Sequence, residues 1–269
     1  MKNLSLKGRI SRRIFFLLIL LTLFSASSCS INRELGIAAS RNNPEKVKSL
    51  LAKGANVNEK DSSGMTPLMS AATCNCDPFP IFTPSSCPKC EEVVKLLINT
   101  GADVNAKNDE EMTPIMFAAM SGHPDVIKLL LQAGAKINDK TKDGFTALMF
   151  AAGTKHPKEI KLLLSSGADV NVTDHDGNTA LIYASVFKDN VIVVRLLLKA
   201  GAEVNVKNNY GNTALIKASE NNNLDTVKAL LSAGAYMNVV NNYGYTALRY
   251  AETKGYNDVA ELLKQAGAK

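Results

Sequence analysis

The chain has 269 residues, with 31 Lys and Arg against 25 Asp and Glu, a formal net charge of +6 and five cysteines. Five of the bases, Lys2, Lys7, Arg9, Arg12 and Arg13, precede residue 14, and residues 1–28 hold no acid, so the rest of the chain carries 26 bases against 25 acids. That balance argues against a nucleic-acid binder, which needs clustered cations to meet phosphates. It makes the basic character a property of the N-terminus alone.

After the basic start comes an apolar run of 11 residues, IFFLLILLTLF, from Ile14 to Phe24. A membrane span needs about 20 residues, so this length suits the core of a secretory signal rather than a permanent anchor. Residues 1–28 therefore read as a signal peptide. The small residues ASSCS, Ala26 to Ser30, offer an A-x-A-like peptidase site. They also resemble a bacterial lipobox, with Ala26 where leucine is usual. That resemblance implies that Cys29 is lipidated and becomes the mature N-terminus, with residues 29–34 as a short tether. An exported protein, lipid-anchored in a bacterial envelope on the periplasmic or outer side, is the expectation.

From residue 35 the sequence repeats itself, and self-similarity decides the architecture before length does. The turns SSGMTPLMSAA, DEEMTPIMFAA, KDGFTALMFAA, HDGNTALIYAS, NYGNTALIKAS and NYGYTALRYAE place one position at Gly64, Glu111, Gly144, Gly177, Gly211 and Gly244, with spacings of 47, 33, 33, 34 and 33. Thr66-Pro67 and Thr113-Pro114 combine an N-cap hydroxyl with a proline at the first helical position, where its missing N–H costs nothing. A second helix follows, as in Val126, Ile127, Leu129, Leu130 and Leu131, ended by Gly134. Alternating residues such as Val170-Asn171-Val172 then lead to an Asp-Gly or Tyr-Gly turn. The recurring T-P-L, A-A and G-A-D-V-N phrases resemble the ankyrin repeat over residues 35–269. The resemblance implies an all-α solenoid of helix-turn-helix units with short β-hairpin fingers. Seven repeats are expected at about 35–60, 61–107, 108–140, 141–173, 174–207, 208–240 and 241–269.

In that family the concave surface, made of finger tips and the exposed side of the first helices, usually grips another protein. Carried onto this register, the contact positions are Lys142, Asp143, Phe145 and Thr154; His175, Asp176, Asn178 and Phe187; Asn209, Tyr210, Asn212 and Asn221; and Asn242, Tyr243, Tyr245 and Lys254. Tyr210, Tyr243 and Tyr245 are the aromatics among them suited to anchor an interface, or equally to pad the fingers against one another. Phe117, Phe150, Tyr183 and Tyr250 recur at one repeat position beside the alanines, a regularity that favours packing. A monomer with a protein partner is the expectation.

Nothing points to catalysis. His123 and His156 begin second helices and His175 sits at a finger tip, without ligand or triad spacing, and no P-loop, H-E-x-x-H or G-x-S-x-G is present. No cofactor is expected.

The 47-residue spacing contains an insertion of 14 residues between the two helices of the second repeat. It falls within the stretch CNCDPFPIFTPSSCPKC, which holds Cys74, Cys76, Cys87 and Cys90. In an exported chain two disulfides would staple a loop that has no core, and with Cys29 lipidated the parity of five is accounted for, although three connectivities are open. Two other readings compete. The paired spacings also fit a tetrahedral zinc site. Cys87-Pro88-Lys89-Cys90 at a helix start would fit a redox-active thiol, with the array as its scaffold.

Overall fold

The computed structural model describes residues 30–74 and 87–269. The signal peptide, Cys29 and Cys76 lie outside the described residues. Fourteen helices follow one another in pairs: α1 (30–40) and α2 (Pro44–Ala52), α3 (Pro67–Ala72) and α4 (Pro88–Asn99), α5 (Pro114–Ser121) and α6 (Pro124–Gln132), α7 (Ala147–Ala152) and α8 (Pro157–Ser165), α9 (Ala180–Val186) and α10 (Val191–Lys199), α11 (Ala214–Glu220) and α12 (Leu224–Ser232), α13 (Ala247–Thr253) and α14 (Asn257–Gln265). Each pair is one repeat. No described helix is long and apolar enough to cross a membrane.

The first helices are short because little more than their alanine-rich middles needs to be helical. Thr66, Thr146, Thr179, Thr213 and Thr246 each accept a hydrogen bond from the backbone N–H three residues on, which satisfies one orphan donor of a helix with few turns to stabilise it. Pairs such as Ala71-Ala72, Ala118-Ala119 and Ala151-Ala152 are completely buried, and their small side chains let neighbouring helices approach closely. The second helices contribute the larger groups. Leu97, Leu130, Leu163, Leu197, Leu230 and Leu263 are all inaccessible to solvent, one in each repeat after the first. No repeat could bury these faces alone, so stacking makes one continuous core.

Two details differ from the sequence-based expectation. Residues 29–34 were expected as a tether, but from residue 30 the chain is already helical. Leu35 and Asn32 are buried in the first repeat, and Asn32 Oδ1 accepts the Asn56 N–H at 2.8 Å, so this segment is held by packing. The fingers were expected as β-hairpins, yet the described residues contain no strand. Each finger closes on only a few backbone hydrogen bonds, as in Asp174 N–H to Asn178 O (3.1 Å) and Gly177 N–H to Asp174 O (3.1 Å). A turn that short has no room for a ladder.

Successive fingers are joined edge to edge. The N–H groups of Asp109, Lys142, His175, Asn209 and Asn242 donate to the carbonyls of Ser63, Glu110, Asp143, Asp176 and Tyr210 at 2.8–3.2 Å. This close approach explains one glycine. Gly144 has φ +87, and a Cβ there would lie 2.9 Å from Asp174 Cα and 3.0 Å from His175 N, whereas Gly134, at φ +89, has nothing within 4 Å of such a Cβ. Gly134→Ala should therefore cost only the left-handed backbone penalty, about 1–2 kcal/mol. Gly144→Ala should cost clearly more, because the next finger must move as well. Equal urea midpoints for the two variants would show that the fingers are not packed as described.

Candidate partner-binding face

The fingers and first helices share one surface. At its N-terminal end a groove of about 620 Å³ is lined by Asn32, Arg33 and Ile37 of α1, Asp61 and Met65 of the first finger and Ser70 of α3. Toward the C-terminus the same face carries the residues that the family register selects.

Those residues fall into two groups. Lys142, Asp143, His175, Asp176, Phe187, Asn209, Tyr210, Asn242, Tyr243 and Lys254 are exposed. Tyr210 and Tyr243 stand on adjacent tips, 44% and 62% exposed, and are linked through Tyr210's carbonyl and the Asn242 N–H. Asn209 and Asn242 direct their amide N–H groups back to the carbonyls of His175 and Asn209 at 2.8 and 2.9 Å, which stiffens the platform that holds the tyrosines.

The remaining residues are engaged internally. Asn212 is buried and accepts a hydrogen bond from Asn241 at 2.8 Å. Asn178 accepts from Asn208 at 2.8 Å and donates to Asp174 and the Tyr183 hydroxyl. Phe145 lies 5.4 Å from the Phe150 ring and 5.2 Å from that of Tyr183. Tyr245 is half-buried against Tyr250 at 4.8 Å, with the Arg249 guanidinium 4.6 Å above its ring. Thr154 donates to the carbonyls of Phe150 and Ala151, and Asn221 donates to Lys217 O. Of the three tyrosines singled out, two are free at the tips and one is part of the packing.

The recurrent ring position is also structural. Phe117 is buried, while Tyr183 donates its hydroxyl proton to Asp174. Burial, together with that bond and the Asp174 charge, pushes the Tyr183 phenol well above its ordinary value. The ring is thereby fixed as a neutral donor inside its finger.

Sequence reasoning missed the asparagines of the closing phrase. Asn58, Asn105 and Asn171 each donate their amide to a glycine carbonyl one repeat on, Gly101, Gly134 and Gly201, at 3.0–3.2 Å, and each accepts the N–H of Asp103, Lys136 or Glu203 at 2.8–2.9 Å. Each is a two-bond clamp between neighbouring repeats. Their fixed place in the first six repeats was the available signal, because an amide presents a donor N–H and a separate acceptor oxygen on one neutral group.

In the insertion, Cys74 and Cys90 form a disulfide with Cα atoms 5.7 Å apart, tying the end of α3 to the first turn of α4. Cys87 is disulfide-bonded as well, and Cys76 lies outside the described residues. While these bonds stand, neither sulfur of the first pair is a thiolate available to zinc or to attack on a substrate disulfide. Among the described residues no group of three or more His, Cys, Asp or Glu side chains is arranged to hold a metal.

The Cys74 carbonyl accepts a hydrogen bond from the His123 ring, which couples the stapled repeat to the next one. Burial depresses the His123 imidazole below its ordinary value and outweighs the opposing effects of that bond and of Glu159 and Asp125, while His156 acts with burial. Because the ring is harder to protonate folded than unfolded, the stability it confers is complete above the ordinary histidine value near 6.5 and declines as pH falls below it. A His123→Gln variant should lose less stability than the native chain between pH 7 and 5. Parallel loss in the two proteins would assign the acid sensitivity elsewhere.

Paired helices, buried alanines and edge-joined fingers define a solenoid repeat protein, a class whose members present an extended recognition surface. Family models described as ankyrin repeats match residues 37–78, 85–174, 137–208, 154–241 and 186–269. The chain belongs to the ankyrin-repeat family, whose members are generally non-enzymatic scaffolds for protein–protein interaction. No curated protein matches it.

Proposed function

We propose that this chain is a monomeric, non-enzymatic binding module that holds a protein partner on its finger face, exported and anchored in a bacterial envelope through lipidated Cys29. The observation that carries the binding reading is the pair of exposed tyrosines, Tyr210 and Tyr243, on adjacent and internally braced tips. Large aromatic groups carried on a backbone already ordered in the free protein are frequent interface anchors, and less ordering of the loop is left to be done on binding. The export reading is supported by the basic and apolar start of the chain and by the Cys74–Cys90 disulfide, a bond that persists in oxidising compartments and is rare in the cytosol. Anchored at Cys29, the array would begin directly at the membrane surface, because α1 starts at the following residue.

Two measurements test this reading. The intact mass of protein from native membranes should equal residues 29–269 plus acyl groups, whereas an unprocessed chain would remove the envelope assignment. The mature protein, immobilised, should capture a partner from envelope extracts. Tyr210→Ala/Tyr243→Ala should weaken that capture by about tenfold or more, the scale of an interface anchor, without lowering thermal stability. Unchanged affinity would place the contact surface elsewhere.

A further inference from the structure

The finger face is not uniform along the array. The first helices α3, α5, α7 and α9, with sequences PLMSAA, PIMFAAMS, ALMFAA and ALIYASV, contain no Asp, Glu, Lys, Arg or His. Their exposed groups are apolar or aromatic. Met120 at the end of α5 is 40% exposed and Phe187 just beyond α9 is 41% exposed, with the half-buried rings of Phe150 on α7 and Tyr183 on α9 between them.

The character changes abruptly at α11. The ring position held by Phe117, Phe150 and Tyr183 is taken there by Lys217. Lys217 Nζ lies 2.6 Å from Glu220 Oε2, and Lys254 at the end of α13 lies 3.8 Å from Glu220 Oε1 and donates to the Glu220 carbonyl at 2.9 Å. Two ammonium groups thus share one carboxylate, which leaves a net positive charge beside the Tyr250 ring, 5.9 Å from Lys254 Nζ. The neighbouring acid, Glu252, is engaged by Lys264 of α14 at 2.6 Å. The finger tips over this end, Asn209-Tyr210 and Asn242-Tyr243, carry no charge, whereas the middle tips carry Asp109, Glu110, Asp143 and Asp176 against Lys142.

An anionic group is therefore repelled at the middle tips and attracted over the last two repeats. Resting on the interaction reading above, we propose that the finger face binds a protein segment in one orientation, with apolar side chains over α5 to α9 and acidic side chains over Lys217 and Lys254. Charge fixes the register, and apolar contact supplies the bulk of the buried surface.

Three synthetic peptides test this with the mature protein. All share a Leu- and Phe-rich half, and the other half is rich in Glu, Lys or Gln. The Glu peptide should bind about tenfold more tightly than the Lys peptide, from a few exposed charge contacts and their like-charge counterparts, and high salt should erase the difference. Lys217→Glu/Lys254→Glu should invert the preference, and Lys217→Gln/Lys254→Gln should abolish it. Both sites are at least partly exposed, so folding should survive either change. Equal binding of the Glu and Lys peptides, or a preference that the charge swap leaves intact, overturns the proposal. If no peptide binds while Tyr210→Ala/Tyr243→Ala still weakens partner capture, the orientation is wrong and the interaction reading stands. If neither effect is seen, both are wrong.

Discussion

Leu130→Ala should lower the stability of the array by about 2–5 kcal/mol, the range for a fully buried leucine whose cavity cannot collapse. Leu130 is inaccessible to solvent on α6, a second helix flanked by α4 and α8. Its loss removes apolar contact on both sides at once. Lys128→Ala, two residues away and exposed on the same helix, should change stability by no more than about 0.5 kcal/mol. Urea unfolding of the two variants measures the difference. A cost for Leu130→Ala near that of Lys128→Ala would mean that the second helices are not packed between neighbours, and the stacked fold would fail with it.

Removing the Cys74–Cys90 disulfide by Cys74→Ser/Cys90→Ser should cost about 3 kcal/mol, the loop-closure value for cysteines 16 residues apart. The reason lies in how the helices of a repeat are joined. Elsewhere the connection is a tight turn through a left-handed residue such as Lys155, Asp189 or Asn222. The side chain just before the second helix then ties the turn down: Asn190 donates to Ala184 O of its own repeat at 3.1 Å and to Ala152 O of the preceding repeat at 2.9 Å, and Asn223 donates to Ser185 O of the preceding repeat at 2.8 Å. In the second repeat that position is Cys87, the N-cap of α4, and the turn is replaced by the insertion. The disulfide takes over the task of holding α3 to α4.

Because each repeat touches only its neighbours, the loss should be local. Hydrogen exchange should accelerate in α1 to α4 and remain unchanged in α9 to α14. Uniform acceleration along the chain would instead show an array that opens as a single cooperative unit.

Much of this arrangement was legible in the residue pattern because it depends on local chemistry repeated many times. Threonine caps, glycines at helix ends and leucines on second helices act within one turn of the chain, and their recurrence averages out exceptions. The fingers were over-read as hairpins. The turn residues were right, but strand formation requires a length of pairing partner that five-residue closures do not provide. The tether was under-read for the opposite reason. Ile31 and Asn32 carry no helix signal of their own and are ordered by contacts with the repeat they begin.

The candidate face shows the same division. Family register selected Tyr210, Tyr243 and Tyr245 alike, although the first two precede the finger glycine and Tyr245 follows it. Tyr245 is withdrawn because Tyr250, one turn into the next helix, lies against it, while the two tip residues have no such neighbour. Likewise Asn209 and Asn212 read as equivalent polar residues, yet one is exposed and the other is buried beneath Asn241 of the next finger.

The sequence by itself determined the repeat, the helix pairs, the near-neutral charge beyond the N-terminus and the grouping of four cysteines in one insertion. Each is set by composition or by interactions a few residues apart. Only the tertiary structure decided which cysteines meet, which asparagines clamp one repeat to the next, and which tip residues remain exposed. The clamps and the burial of Asn212 depend on residues about one repeat away, the disulfide on closure across an insertion, and the covering of Tyr245 on its finger folding back onto Tyr250 of the next helix; these are fixed by packing rather than by local preference.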